Sequence, residues 1–268
     1  MIASYKKVIY DLGANTGLNL PYYLKKADKV VAVEANPVLC QNIKEKFSKE
    51  IKSERLAIEN FVITPVTDDK EVPFYIHESL PVLSCFPAPP PERIMEFKRV
   101  FLPSKPISKI IESHGAPYYI KLDLEYLDAV ILRAILETGI RPPFISAESH
   151  SVEVFALLVG LGKYQSFNLV DGPSIAQKYD YCKIRTIHGD QTFKFLENSA
   201  GPFGVDIQNP WMIPDKFFQY LALEGLGWKD VHATTEIEAN PEVGPVFRLY
   251  VKRAMNNRLK RMRLPQIF

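Results

Sequence analysis

The chain has 268 residues, 47% apolar and 24% charged, with a formal net charge of +2. That length allows one large α/β domain with a substantial core, and the near-neutral balance excludes an overall electrostatic commitment to nucleic acid. The apolar runs are too short for a membrane span and the first residues carry no signal-peptide pattern, so the expected location is cytoplasmic. Cys40, Cys85 and Cys182 are few, odd in number and far apart, which argues against a disulfide framework or a thiolate metal site.

Val8, Ile9 and Tyr10 suit a buried strand that ends in Asp11-Leu-Gly-Ala-Asn-Thr-Gly17. Gly13 and Gly17 permit a tight turn with close backbone approach, and Thr16 to Lys26 reads as the following helix. Val30 to Val33 is the next parallel strand, and Glu34 follows it where an open α/β sheet presents ribose-binding groups. A dinucleotide fingerprint requires G-x-G-x-x-G, so that a pyrophosphate sits on the helix N-terminus. Here three residues separate the glycines and Asp11 precedes them; an acid there repels an anion and attracts an ammonium. S-adenosylmethionine, which carries an ammonium and no phosphate, fits better than NAD.

Asn36-Pro37 opens a helix whose Leu39, Ile43, Phe47 and Ile51 recur on one face. Phe61 to Ile63 reads as a third strand and Val72 to Ile76 as a short extended piece, after which Pro81 to Pro106 is expected to be an irregular, lid-like excursion. Ile107 to Ser113 is a short helix and Tyr118 to Leu122 a strand, with Asp123-Leu-Glu125 at its carboxyl end. A helix with Leu127, Ile131 and Ile135 follows, then a strand from Pro143 to Ala147 ending in Glu148-Ser-His150, a helix over Val152 to Leu161 and a strand over Tyr164 to Val170. This alternation predicts an α/β fold with a doubly wound, mainly parallel sheet.

Residues 172–214, rich in Gly, Pro, Asn and aromatics, read as a loop-rich insertion within one domain spanning 1–251. Phe217 to Leu223 is a further helix and Val246 to Val251 a final strand. Residues 252–268 concentrate Lys252, Arg253, Arg258, Lys260, Arg261 and Arg263; a solvated helix or tail is favoured over a patch for anionic lipid, polyphosphate or RNA.

With Asp11-Leu-Gly-Ala-Asn-Thr-Gly17, Val31-Ala-Val-Glu34, Ile120-Lys-Leu-Asp-Leu-Glu125 and Ile145-Ser-Ala-Glu148 in order, the chain resembles the FkbM-type methyltransferases of the class I S-adenosylmethionine-dependent fold. The resemblance covers about Val8 to Val170 and implies methyl transfer to a hydroxyl of a sugar, glycan or related small molecule. The family usually continues the Lys-x-Asp-x-Glu element with Gly-x-Glu, where this chain has Tyr126-Leu-Asp128. Ser199 to Gly204 and Trp228 to Ala233 look like features of family members that modify glycans.

The cofactor residues expected on these grounds are Asp11, Gly13, Asn15, Thr16 and Gly17, then Glu34 and Ala35, with Val66 and Asp123. Asp123, Glu125, Glu148 and His150 fall just past strand ends bordering one crevice and are the catalytic candidates, His150 having an ordinary pKa suited to base work near neutrality. Asp123, Glu148 and His150 could instead hold Mg²⁺ or Mn²⁺, but the metal-free reading is favoured because the sequence does not bring these ligands together. No Asn-Pro-Pro-Tyr signature of amino methylation follows the fourth strand. The alternatives to a sugar O-methyltransferase are an RNA methyltransferase using the basic tail, with nucleic acid disfavoured, and a non-catalytic cofactor-binding scaffold. A homo-oligomer is left open.

Overall fold

A computed structural model describes residues 6–65 and 70–244. Seven strands form the central sheet in the order β3-β2-β1-β7-β8-β12-β9. They are β1 (Val8–Leu12), β2 (Lys29–Val33), β3 (Leu56–Glu59), β7 (Pro117–Leu122), β8 (Phe144–Ser149), β9 (Ser166–Asp171) and β12 (Gly227–Thr234). The pairs β1–β2, β2–β3, β1–β7 and β7–β8 are parallel, and β12 runs antiparallel between β8 and β9. The sheet is therefore the expected α/β, mainly parallel one, and the strand order reverses direction at β1 and β7. That switch point opens a crevice at the carboxyl ends of the strands.

Alternate residues of each strand enter different cores. Tyr10, Leu12, Val31, Val33, Ile120 and Leu122 pack with the helices α4 (Ile107–His114), α5 (Asp128–Glu137), α6 (Glu153–Gly160) and α8 (Pro214–Glu224). Ile9, Val30, Ala32 and Tyr119 pack on the opposite face against α1 (Leu20–Lys26) and α2 (Pro37–Lys46). Strand side chains alternate between faces, and each fully buried aliphatic contributes about 1.5–3 kcal/mol, so helices must cover both sides.

The chain departs from the sequence expectation in several places. The helix expected from Thr16 begins at Leu20: Pro21 belongs in a first helical turn, and the preceding residues form a turn folded onto β2. The long amphipathic helix breaks at Phe47 into α2 and α3 (Ser48–Lys52). The third strand of the main sheet is Leu56–Glu59 rather than Phe61 to Ile63. Asn60 then donates to the carbonyls of Glu34 and Ala35, and the chain leaves the sheet as β4 (Val62–Thr64) in a separate three-stranded sheet. The supposedly irregular Pro81 to Pro106 segment includes β6 (Phe97–Pro106), which pairs antiparallel with β5 (Glu71–His77) and parallel with β4.

The 172–214 segment holds α7 (Ile175–Lys178) and a hairpin of β10 (Cys182–Thr186) and β11 (Gly189–Phe193). Ile175, Tyr179, Ile184, Phe195 and Phe203 join the core under α1, and Lys26 meets Asp206 at 2.6 Å. All three cysteines are buried free thiols. Among the described residues no helix is long and apolar enough to cross a membrane. The expected strand over Val246 to Val251, the basic residues 252–268 and Val66 lie outside the described residues.

Candidate functional site

The turn after β1 is closed upon itself. The amides of Gly13 and Ala14 both donate to the Val33 carbonyl at 3.0 Å, Gly17 donates to the Ala14 carbonyl at 2.8 Å, and Asn15 donates to the Glu34 carboxylate at 2.7 Å. A pyrophosphate cradle needs such amides free and a helix N-terminus behind them. Here these amides are engaged and α1 is only seven residues long. Gly13 has φ +88°, and a Cβ there would lie 1.9 Å from the Asp123 carbonyl oxygen. The close approach that requires glycine is thus to the end of β7, whose Asp123 amide donates to the Leu12 carbonyl at 3.0 Å. Gly17, with φ +70°, faces Leu20, Phe47 and Ile43, so it serves the turn and the packing of α2.

Glu34 follows β2 with its side chain buried. Its oxygens accept from the amides of Asn15 and Asn36, each at 2.7 Å, and burial pushes its pKa up to about 7 against those hydrogen bonds. With Ala35 it borders a slot walled by Phe61, Ile63, Phe86 and Leu124. Apolar walls with an acid at one end suit a planar base whose ribose hydroxyls reach the carboxylate. Gly13, Asn15, Asp123 and Glu125 border both this slot and a larger crevice of about 700 Å³, which Thr16 also lines.

Lys121 points from β7 toward the crevice floor. It is 2% exposed and its Nζ lies 2.5 Å from Asp123 Oδ2. Burial opposes its charge, but Asp123, Asp230 and Asp11 together hold the ammonium well above the ordinary lysine range. The same burial raises the acids around it. Asp11 is wholly buried, neither carboxylate oxygen has a hydrogen-bond partner, and desolvation pushes it up to about 7 despite Lys121. Asp230 on β12 is raised well above its ordinary value by the same cause. Asp128, whose Oδ1 accepts from the Leu124 amide, is pushed to about 7.

Glu125 and Tyr126 form the turn into α5 with φ of +45° and +73°. Left-handed backbone at a side-chain-bearing residue costs about 1–2 kcal/mol, so glycine would be the less strained residue at the position of Tyr126. The Tyr126 ring lies against His150, with centroids 4.8 Å apart. His150 Nε2 is 3.0 Å from Glu148 Oε2. That carboxylate, in ion-pair range although Nε2 has no hydrogen-bond partner, pushes the imidazole up to about 9, above the ordinary value that suits base work near neutrality. Glu125 is pushed to about 7 by burial and by Asp123 and Glu148 and, unlike Asp11, Glu34 and Asp128 at similar values, lines the larger crevice.

The crevice thus brings together Asp123, Glu125, Glu148 and His150, as well as Asn15 and Thr16; Glu34 and Ala35 stand at the slot, and Asp11 lies beneath both without lining either. Among the described residues no three His, Cys, Asp or Glu side chains form a metal-holding group. Asp123 is engaged by Lys121, and Glu148 by His150. Lys121, Tyr126, Trp228 and Asp230 also line the crevice but were not assigned from the sequence. Lys121 was legible within the Lys-x-Asp-x-Glu element. Trp228 and Asp230 arrive only because β12 inserts between β8 and β9, a pairing no local pattern announces.

No family model matches the chain, and no curated protein matches it. Among solved structures, it is similar to the methyltransferase FkbM from Methylobacillus flagellatus KT, at 17% identity over 62% of this chain and 40% of that one, with a TM-score of 0.40. Precorrin-6y C5,15-methyltransferase from Geobacter metallireducens GS-15 is similar at 10% identity, over 85% of this chain and 79% of that one, with a TM-score of 0.34. Spermidine synthase from Thermotoga maritima gives 10% identity, 88% and 55% coverage and a TM-score of 0.35. The chain spans well under two thirds of the length of the first and the last of these.

Proposed function

We propose that the chain is an S-adenosylmethionine-dependent O-methyltransferase acting on a hydroxyl of a sugar, glycan or related small molecule. The observation that carries the cofactor reading is the closed turn of residues 13–17 beside Glu34 and the apolar slot. It suits a nucleoside with no phosphates, and the acid-rich crevice next to it suits a positively charged substituent. Glu34 and Ala35 would hold the ribose, the slot the adenine, and Asn15, Thr16 and Asp123 the methionine portion. When bound, this cofactor supplies a methyl group on a positively charged sulfur, ready for in-line transfer.

The chain's own task is then alignment and proton removal. Glu125 borders both cavities and accepts the proton of the acceptor hydroxyl; its pKa of about 7 matches that role at neutral pH. Lys121 holds Asp123 in place from below, and the protonated His150, fixed by Glu148 and covered by Tyr126, donates to an acceptor oxygen and orients it. The cations that line the crevice, Lys121 and His150, already face Asp123 and Glu148 and leave RNA phosphates no free partner there, which weighs against the nucleic-acid alternative. Calorimetric titration with S-adenosylmethionine and with its demethylated product tests the reading. Micromolar binding of both is expected, and no heat from either at accessible concentrations would overturn it.

A further inference from the structure

The crevice is lined by more carboxyl groups than methyl transfer to a neutral hydroxyl requires. Lys121 is taken by Asp123 and His150 by Glu148, and among the described residues no ion pair joins Glu125 or Asp230 to a cation. Glu125 has a role as proton acceptor; Asp230 has none. Asp230 is 8% exposed, lines the crevice, and its Oδ2 has no hydrogen-bond partner. An unmet buried carboxylate oxygen costs stability unless a ligand completes it.

Two residues before it on β12 stands Trp228, also lining the crevice and 43% exposed. Its indole is fixed: a Cβ on Gly172 would lie 2.4–2.6 Å from the ring atoms, so the ring packs on a residue that must lack a side chain. A held, exposed indole beside a buried carboxyl group is an arrangement that recognises a cation, through the negative ring face and the countercharge that forms when an arriving ammonium draws the acid into its ionised form.

We propose that Trp228 and Asp230 form a subsite for a positively charged nitrogen on the acceptor, so that the substrate is an amino-bearing polyhydroxy compound whose ammonium sits against Asp230 and the indole. This deepens the methyl-transfer reading and rests on it. It also predicts that phosphorylated or carboxylated acceptors bind more weakly, because the cations of the crevice, Lys121 and His150, already face Asp123 and Glu148.

The test uses ligand-observed NMR titrations at pH 6.5 with the demethylated cofactor saturating, and with glucosamine, N-acetylglucosamine and glucose 6-phosphate as probes. Glucosamine should bind at least about tenfold tighter than N-acetylglucosamine, with the phosphate weakest. Asp230→Asn and Trp228→Ala should each bring the first ratio near one, and Trp228→Phe should largely keep it; retained demethylated-cofactor binding verifies that each variant is folded. Equal binding of the three probes, or a preference unchanged in Asp230→Asn and Trp228→Ala, overturns the subsite. Displacement of the demethylated cofactor by glucosamine also overturns it, since the position then belongs to the cofactor. If the demethylated cofactor itself fails to bind, the transferase reading falls, and the same probe ratios measured without it still decide the subsite.

Discussion

Asp11 allows a direct measurement of what the buried acids under this site cost. Its carboxylate is wholly buried with both oxygens unpartnered, and its pKa stands at about 7 against an ordinary 3.8, desolvation outweighing the pull of Lys121. Between those two values the unfolded chain has released a proton that the folded chain retains, so stability falls as pH rises, by about 1.4 kcal/mol per unit for one group. The contribution is complete below pH 4 and lost by pH 7, a difference of about 4 kcal/mol. Asp11→Asn is nearly isosteric with the protonated acid and does not titrate. Urea denaturation of both proteins from pH 4 to 8.5 should show near-equal stability at the acid end, then a gap favouring the variant that grows to about 4 kcal/mol and levels off above pH 7. Raised acids such as Asp230 and Asp128 remain in both proteins and largely cancel in the difference. Parallel curves across the whole range would refute the assignment of a retained proton to Asp11.

Other perturbations probe the site itself. Glu125→Gln should abolish the rise of kcat/KM through pH 7 that an ionising base produces and lower the plateau by at least about a hundredfold; an intact rising limb would remove Glu125 from the chemistry. Glu148→Gln should drop the His150 pKa from about 9 toward its ordinary value, read by NMR titration of the imidazole, and an unmoved value would show that Glu148 is not what holds the proton. Gly13→Ala forces a Cβ onto the Asp123 carbonyl at a φ of +88°, and should cost more than about 2 kcal/mol in thermal denaturation while weakening cofactor binding. A variant as stable as the parent, with full cofactor affinity, would mean that the ends of β1 and β7 can separate freely.

Much of the frame was legible because it is written in local periodicity. The apolar runs at Val8, Val30, Tyr118 and Phe144 are strands buried on both faces, and such strands need no partner information to be recognised. The glycine spacing argued against a pyrophosphate, and the amides of the turn are spent on Val33, Ala14 and Glu34; Asp11, wholly buried and lining neither cavity, does not present the charge the sequence argument gave it. Periodicity failed where pairing is decided at a distance. Leu56–Glu59 and Phe61 to Ile63 are both short apolar runs, and only the Asn60 contacts with Glu34 and Ala35 select the first for the main sheet. The ten-residue β6 was hidden by its prolines, which a small outer sheet tolerates.

The sequence by itself determined the fold class, the strand ends that carry the acids and the glycine spacing of the first turn, since each follows from residues near one another in the chain. Tertiary structure alone decided the charge states. Burial around Lys121 raises Asp11 and Asp230, Glu148 keeps His150 protonated, and β12 carries Trp228 and Asp230 into the crevice. Desolvation and the distances between charges arise only when remote segments meet, and they set the direction in which each of these pKa values moves.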